Sequence, residues 1–410
     1  MTRTLIVVGH GMVGHRLVDD IRARGRPSDW RTVVLTEESE PAYDRTALSS
    51  YLDTGSASTL SLVSEEFLSD PMVDLRLATG VATIDRQGRK VLTVSGTELY
   101  YDALVLATGS RPHQPPVPGR DLDGCFVYRT LEDLDAIRAA AVAGRPGVVI
   151  GGGLLGLEAA NALRLLEMRV HVVELARWPM PVQIDEAGGQ VLARLLGKLG
   201  LRLHCGVAVA SIEAGQVGRV SRVRLTDGTD VAADLVVFST GIRPRDELAA
   251  SAGLEIAEGG GVLVDDYCRT NDEHIWAIGE CAAVRGRRYG LVAPGYRMAE
   301  TVVDQLLGAG ELTFAGADMS TELKLLGVDV ASFGDAHAET PGAMELSYQR
   351  NTAGTYAKLV LGADSRTLLG GVLTGDASAY PVLRSLVGYE LPVPPEQLLG
   401  YCGGRSAVSS

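Results

Sequence analysis

Two glycine-rich fingerprints constrain the fold of this 410-residue chain more than any other feature. The first, GHGMVG at Gly9–Gly14, directly follows the apolar run Leu5–Val8. The second, GGGLLG at Gly151–Gly156, directly follows Val148–Ile150. In a strand–turn–helix setting, such glycines allow a tight turn, a close backbone approach to a pyrophosphate, and close helix–strand packing. One match would be weak, but two predict that the chain holds two dinucleotides at once.

The first fingerprint is followed by a pattern that completes a nucleotide-binding unit. A helix is predicted through Leu17 to Ile21, and a second strand at Thr32–Leu35 leads to Glu37 and Glu38. A carboxylate at this place accepts hydrogen bonds from a ribose 2′-hydroxyl. We assign that role to Glu37; the alternative places both glutamates in a solvated loop. The predicted fingerprint contacts of this nucleotide are Gly9, Gly11, Met12, Val13 and Gly14.

The second fingerprint opens a repeat of the same unit. Its second strand, Arg169–Val173, ends in Glu174. An acid here favours a free ribose hydroxyl and repels a 2′-phosphate, so we expect NADH rather than NADPH. Arg177 lies three residues further on and could meet a phosphate. The predicted fingerprint contacts of this nucleotide are Gly151, Gly153, Leu154, Leu155 and Gly156.

Glu158 is the candidate catalytic residue. It lies two positions past Gly156, and we expect it in the first turn of the helix, where a nicotinamide would approach. Its carboxylate could orient that ring or buffer charge on a reduced flavin. Alternatively, it is a helix N-terminal acid favoured by the macrodipole.

A duplicated closing segment suggests the domain plan. Residues 102–112 and 234–244 each combine an apolar strand with Thr-Gly and Arg-Pro, and four prolines follow within 112–118. This order predicts an α/β chain with two Rossmann-like dinucleotide-binding domains, the second being inserted in the first, followed by a C-terminal α+β domain. We expect boundaries at 1–114, 115–240, 241–313 and 314–410. Further cofactor contacts are predicted at Ala107, Thr108, Gly109, Thr240 and Gly241.

The segment after residue 244 should return to the first domain. There the apolar strand Ile275–Ile278 precedes Gly279 and Glu280, and an acid here can face the ribityl hydroxyls of a flavin. A helix is expected at Met298–Leu307. Beyond Phe314, apolar runs at 323–326, 328–333, 356–361 and 368–373 predict a small antiparallel sheet, with a helix near 380–387.

Charge and cysteine content exclude several classes of protein. The net charge of −13 disfavours nucleic acid and anionic membranes as partners. No apolar stretch approaches the roughly 20 residues that span a bilayer, and the first strand begins at once, so we expect no signal peptide and a cytoplasmic location. The five cysteines stand far apart, so no metal site is predicted.

Several motifs together resemble the pyridine-nucleotide-dependent flavoprotein reductases with two dinucleotide domains. They are 42–50, 151–160, 278–282, 290–296 and 316–335, and the match is closest to the N-terminal flavoprotein part of NADH–nitrite reductase large subunits. Rubredoxin and ferredoxin reductases share this plan. The resemblance implies FAD on the first fingerprint, NADH on the second, Arg45 beside the FAD and Glu280 at its ribityl chain. The other candidate cofactor contacts are Ser49, Arg129, Pro294 and Tyr296.

Three departures from related proteins refine the expected chemistry. Full nitrite reductase large subunits continue into iron–sulfur and sirohaem domains, where this chain has only Cys402, so we expect an electron-input module that cannot reduce nitrite by itself. No cysteine lies between Tyr43 and Ser56, where disulfide reductases carry a redox pair. Ser50 stands where rubredoxin and ferredoxin reductases typically have a lysine, so a flavin-side pair with Glu158 is not expected.

The expected function is transfer of a hydride from NADH to FAD, and of electrons onward to a separate carrier. Arg285, Arg287 and Arg288 could dock an acidic ferredoxin or another iron–sulfur protein; alternatively they form a solvated turn. Direct reduction of oxygen, quinone or another small molecule stays open, as does an NADH-responsive sensor. Homodimer formation also stays open.

Overall fold

The computed structural model describes residues 2–26, 29–215, 218–325, 327–350, 352 and 354–402. The chain divides into two compact units, each built from two segments. The first unit combines Met1–Arg111 with Ile242–Ala317, and the second combines Pro112–Gly241 with Asp318–Ser410. The domain boundaries expected from the sequence stay predictions.

The described secondary structure mixes strands and helices along the whole chain. The strands are β1 (Arg3–Val8), β2 (Trp30–Leu35), β3 (Val73–Arg76), β4 (Val81–Asp85), β5 (Lys90–Thr93), β6 (Glu98–Tyr100), β7 (Ala103–Leu106), β8 (Ser110–Pro112), β9 (Cys125–Val127), β10 (Pro146–Ile150), β11 (Arg169–Glu174), β12 (Arg202–Cys205), β13 (Val209–Ala214), β14 (Val220–Leu225), β15 (Asp230–Ala232), β16 (Leu235–Phe238), β17 (Ile242–Pro244), β18 (Val262–Val264), β19 (Ile275–Ala277), β20 (Ala282–Val284), β21 (Thr321–Leu325), β22 (Val328–Gly334), β23 (Met344–Arg350), β24 (Thr355–Leu361) and β25 (Leu368–Gly375). The helices are α1 (Met12–Arg24), α2 (Leu48–Thr54), α3 (Glu65–Leu68), α4 (Leu131–Ala140), α5 (Leu154–Leu165), α6 (Glu186–Lys198), α7 (Glu247–Ser251), α8 (Val292–Leu306), α9 (Tyr380–Ser385) and α10 (Pro395–Cys402).

The first unit is built on a five-stranded parallel sheet. Its strand order is β19-β7-β1-β2-β3, so the strand that carries the first fingerprint lies in the middle. Leu5, Ile6 and Val7 are fully buried because helices and loops cover both faces of such a sheet. A small antiparallel sheet, β4-β5-β6, is attached to it in sequence between β3 and β7. The predicted Rossmann-like α/β class is confirmed for this unit.

Helix α8 begins earlier than the sequence suggested. It starts at Val292 rather than Met298, so Pro294 and Tyr296 lie inside its first turns and not before it. Proline is tolerated there because the first N–H groups of a helix have no partner within the helix. The expected start was wrong because Pro294 and Gly295 are also typical of a turn, so they conceal the first turns of this helix.

The second unit contains a matching parallel sheet and a separate antiparallel one. The parallel sheet has the order β12-β11-β10-β16-β9, again with the fingerprint strand in the middle. The C-terminal sheet has the order β21-β22-β25-β24-β23, and α6 packs against β24 and β25. Strand β23 was missed from the sequence because its side chains are mostly exposed and polar, so no apolar run marks it.

Candidate functional site

The first fingerprint forms a turn in which two of its three glycines are required by packing. Gly9 has a φ of +107°, and a Cβ on it would overlap the carbonyl oxygen of Ala107. A Cβ on Gly14 would overlap the carbonyl oxygen of Gly9. Gly11 differs, because the nearest atom to its Cβ position is the Arg45 Nε, 4.0 Å away. The protein itself therefore leaves open space beside the middle glycine.

The second fingerprint repeats this arrangement. Gly151 has a φ of +112°, and a Cβ there would overlap the carbonyl oxygen of Ser239. A Cβ on Gly156 would overlap the carbonyl oxygen of Gly151. Nothing lies within 4 Å of the Cβ position of Gly153.

Both fingerprint helices begin without a side-chain cap. Gly11 and Gly153 are the N-cap residues of α1 and α5, and neither can supply a capping side chain. The first N–H groups of each helix are thus directed at the open space beside the middle glycine, which is the geometry that binds a pyrophosphate. The backbone geometry of both turns therefore fits a dinucleotide.

Glu174 is held beside the second fingerprint by two backbone groups. The N–H of Gly152 donates to its Oε2 at 2.6 Å, and the N–H of Ala176 donates to its Oε1 at 2.7 Å. Each carboxylate oxygen can accept a further hydrogen bond, so the residue can serve a ribose hydroxyl. Arg177, the possible phosphate ligand, instead pairs with Glu186 at 3.5 Å.

The two acids after β2 have different surroundings. Glu37 is 62% exposed and pairs with Arg245 Nη1 at 2.9 Å. Glu38 accepts a hydrogen bond from the Tyr43 hydroxyl at 2.8 Å and also pairs with Arg45. No sequence pattern marks Arg245 as a partner of Glu37, from which it is 208 positions away. The role assigned to Glu37 stays a prediction.

Val13 brings several predicted flavin-side residues to the start of α1. Gly279 and Gly295 both pack against Val13. Gly279 has a φ of +75°, and Val13 leaves no room for a side chain on Gly295 of α8. Glu280 follows Gly279 and accepts a hydrogen bond from Ser110 Oγ at 2.7 Å. The structure thereby groups the first fingerprint, Glu280 and the start of the helix containing Pro294 and Tyr296.

The other candidates of the first unit lie on neighbouring loops and short helices. Thr108 Oγ1 donates to the Arg245 carbonyl at 2.6 Å, and Gly109 has a φ of +68° with open space at its Cβ position. Arg45 lies in a 3-10 helix over the Tyr43 ring, and Ser49 lies in α2. Ala107 and Met12 lie at the end of β7 and the start of α1.

Glu158 lies at the start of the second turn of α5 and not in the first turn, as was expected. Because α5 begins at Leu154, Glu158 is its fifth residue and belongs to the second turn. The helix macrodipole acts mainly within the first turn, so it does not favour the alternative in which Glu158 is only a helix N-terminal acid. Burial, and then the charge of Glu158, raise the pKa of the Tyr128 phenol. Tyr128 is 3% exposed and had no sequence signal as a neighbour of this acid.

The remaining second-unit candidates lie at strand ends. Thr240 Oγ1 donates to the His113 carbonyl at 2.6 Å, and Gly241 has a φ of +100°. Arg129 lies between β9 and α4. His171 of β11 contacts His204 through ring nitrogens 3.1 Å apart, and burial lowers the pKa of His171 to about 4.

Four cysteines, Cys125, Cys205, Cys268 and Cys281, are poor nucleophiles. Burial raises the pKa of Cys125 and of Cys205 to about 11, and it also raises the pKa of Cys268 and Cys281. Within the described ranges, no group of three or more His, Cys, Asp or Glu side chains could hold a metal ion. A thiolate is the reactive form of cysteine, so these four thiols do not favour disulfide chemistry.

Comparison with known proteins agrees with this geometry. The sequence profile described as pyridine nucleotide-disulphide oxidoreductase matches residues 3–302. The chain belongs to this family. A second profile, the rubredoxin NAD+ reductase C-terminal domain, matches residues 320–390.

Relatives and a solved structure cover almost the whole chain. The nitrite reductase [NAD(P)H] large subunit of Klebsiella oxytoca is 49% identical over 397 residues, covering 96% of this chain but 41% of that protein. The rubredoxin-NAD(+) reductase of Alcanivorax borkumensis is 30% identical over 91% of this chain and 95% of its own length. The ferredoxin reductase for the CYP199A2 system of Rhodopseudomonas palustris superposes with a TM-score of 0.84 at 30% identity, covering 97% of both chains.

Family membership confirms the predicted resemblance and the enzyme class. This chain is therefore an oxidoreductase of the pyridine nucleotide-disulphide oxidoreductase family, and its relative from Alcanivorax borkumensis is named for NAD(+). The chain spans less than half the length of its nitrite reductase relatives. Among the residues that the structure describes, no helix combines the length and apolarity needed to cross a bilayer.

Adding a methyl group should affect nucleotide binding at one kind of fingerprint glycine and protein stability at the other. Gly153→Ala enters open space, so it should change the free energy of unfolding by less than about 1 kcal/mol, yet weaken NAD+ binding by at least about tenfold. Gly156→Ala adds a Cβ against the Gly151 carbonyl and should destabilise the protein by about 1–3 kcal/mol. Thermal unfolding and NAD+ titration of both variants check this. Normal NAD+ affinity in Gly153→Ala would contradict the assignment of that open space.

Proposed function

We propose that this chain is an electron-input module that accepts a hydride from NADH on FAD and passes electrons to an iron–sulfur acceptor. When bound, the flavin supplies the conversion between two-electron and one-electron transfer. The observation that carries this proposal is the pair of uncapped helix starts, each facing open space beside Gly11 or Gly153.

Each unit contributes distinct binding groups in this proposal. The first N–H groups of α1 bind the FAD pyrophosphate, Glu37 binds its ribose, and Glu280 accepts hydrogen bonds from the ribityl hydroxyls. The first N–H groups of α5 bind the NADH pyrophosphate, and Glu174 binds its adenosine ribose. Glu158 orients the nicotinamide through its carboxylate.

The charges near Glu174 support a preference for NADH. Its carboxylate is fixed by two backbone N–H groups, so it cannot easily move away from a 2′-phosphate. The positive charge of Arg177 is partly balanced by Glu186. A phosphate brought beside a fixed carboxylate is repelled, whereas a hydroxyl can donate to it.

This preference can be measured with Glu174→Gln, which removes the charge and keeps an oxygen that can accept from Gly152. The wild type should be reduced faster by NADH than by NADPH, and the variant should shift the ratio toward NADPH by about tenfold or more. Stopped-flow flavin reduction under anaerobic conditions gives both rates. A matched control is Glu213→Gln, which removes a carboxylate charge that pairs with Arg222 and Arg224 and should change the ratio little. An unchanged ratio in Glu174→Gln would argue against its ribose role.

The iron–sulfur acceptor is supported by relatives and by one exposed basic cluster. One relative is named a rubredoxin-NAD(+) reductase, and one similar solved structure is named a ferredoxin reductase. Arg285, Arg287 and Arg288 lie on an exposed turn after β20. Arg285 pairs with Asp266, whereas Arg287 stacks over the Tyr289 ring at 5.1 Å. The cluster keeps a net positive charge on a chain that is acidic overall, and we place the acceptor there. Homodimer formation and a cytoplasmic location stay predictions.

If the acceptor docks on the basic cluster, loss of these arginines should slow only one of the two half-reactions. Replacement of Arg285, Arg287 and Arg288 by alanine should slow electron transfer to an acidic ferredoxin about tenfold and weaken its salt dependence, because rim charges act mainly on association. Reduction of the flavin by NADH should not change.

A double variant, Arg222→Ala with Arg224→Ala, is the matched control because these two arginines are also exposed but pair with Glu213 and Asp230. Ferredoxin reduction and NADH-driven flavin reduction are measured separately for each variant. Equal slowing of both half-reactions by the triple substitution would refute docking at this turn.

A further inference from the structure

A nearly buried lysine joins the C-terminal sheet to the nucleotide-binding part of the second unit. Lys358 of β24 has a side chain that is 3% exposed, and its Nζ lies 2.9 Å from Asp185 Oδ2 and 3.2 Å from Glu345 Oε2. Two residues earlier on the same face of β24, the Tyr356 hydroxyl donates to Asp185 Oδ2 at 2.7 Å. A lysine is rarely buried to this degree unless it is paired.

Asp185 is at the same time the N-cap of α6. Its Oδ1 accepts a hydrogen bond from the Gly188 N–H at 3.0 Å, while Oδ2 faces Lys358 and Tyr356. Burial acts to raise the pKa of Asp185, but hydrogen bonds from Lys358 and Tyr356 outweigh it and lower that pKa. The carboxylate is therefore held in its charged form by two residues of the C-terminal sheet and one helix start.

Residues 175–184, which we name the nucleotide loop, connect Glu174 directly to Asp185. In the middle of this loop, the Met180 N–H donates to the Gly152 carbonyl at 2.9 Å, and Gly152 in turn donates to Glu174. Met180 is fully buried with a φ of +56°. A residue other than glycine keeps that conformation only where its surroundings determine it.

The nucleotide loop is also anchored near its C-terminal end. Trp178 Nε1 donates to the Ile184 carbonyl at 3.0 Å, and a Cβ on Gly189 of α6 would overlap the Trp178 side chain. His337, which follows β22, contacts the Val182 carbonyl through Nε2 at 2.9 Å. The C-terminal sheet thus reaches the loop both through Asp185 and through Val182.

We propose that Lys358 and Tyr356 are positioning residues for the pyridine nucleotide. By fixing Asp185 they hold the nucleotide loop, and through Met180 and Gly152 they hold Glu174 in place for the adenosine ribose. The C-terminal sheet thereby sets the affinity of the neighbouring site for NADH. This inference rests on the proposed function of Glu174 and of the second fingerprint.

The test compares Lys358→Met with Lys324→Met in the FAD-loaded protein. Lys324 belongs to β21 of the same sheet but has a 71% exposed side chain, so it controls for loss of a lysine. We expect Lys358→Met to weaken NAD+ binding, measured by calorimetry, by at least about fivefold, which is the lower range of coupling between linked sites. The KM for NADH should rise in parallel, while the maximal rate of flavin reduction and the FAD content stay unchanged. Lys324→Met should match the wild type.

The outcomes separate this inference from the proposed function. Unchanged NAD+ affinity in a folded Lys358→Met protein would overturn the positioning role while leaving the NADH reaction intact. A wild type that binds no NAD+ would instead overturn the proposed function. If Lys358→Met does not fold, Tyr356→Phe removes only one hydroxyl and should weaken NAD+ binding in the same direction by at least about twofold. Wild-type affinity in Tyr356→Phe would then overturn the role.

Discussion

The close contact between the end of a strand and the start of the following helix is the constraint on which this structure depends. It occurs twice, where Gly14 meets the Gly9 carbonyl and where Gly156 meets the Gly151 carbonyl. Any side chain at these positions would push α1 or α5 away from its strand. With the contact in place, uncapped backbone N–H groups converge beside Gly11 and Gly153, and no side-chain chemistry is needed to attract a pyrophosphate. The binding groups are therefore largely backbone, which explains why they are strongly marked by glycine.

The second unit joins its C-terminal antiparallel sheet to the part that carries the second fingerprint. Its antiparallel sheet packs against α6, and its buried Lys358 meets the carboxylate that caps this helix. Breaking a buried pair by removing one partner leaves an uncompensated charge, so such a contact strongly specifies geometry even where its net contribution to stability is small. Through Lys358 and Asp185, the C-terminal sheet is thereby connected to the loop beside Glu174.

Sequence patterns predicted those parts of the fold that are determined locally. β1, β10 and their helices were recognisable because consecutive buried residues are followed by required glycines, and Glu174 could be placed because it ends the next strand. Local patterns failed where the signal was ambiguous: Pro294 concealed the start of α8, the helix start at Leu154 moved Glu158 into the second turn, and polar β23 had no apolar run. The pairs Glu37–Arg245 and Asp185–Lys358 join residues far apart in sequence, so no spacing rule could have found them.

In the proposed function, one chain carries two separate dinucleotide sites. The most direct measurement is the stoichiometry of cofactors on the purified chain, with FAD determined by its absorbance after release and NAD+ by titration of the FAD-loaded protein. We predict one FAD and one NAD+ for each chain, bound without competition. A chain that retains no flavin, or in which NAD+ displaces FAD from a single shared site, would contradict it.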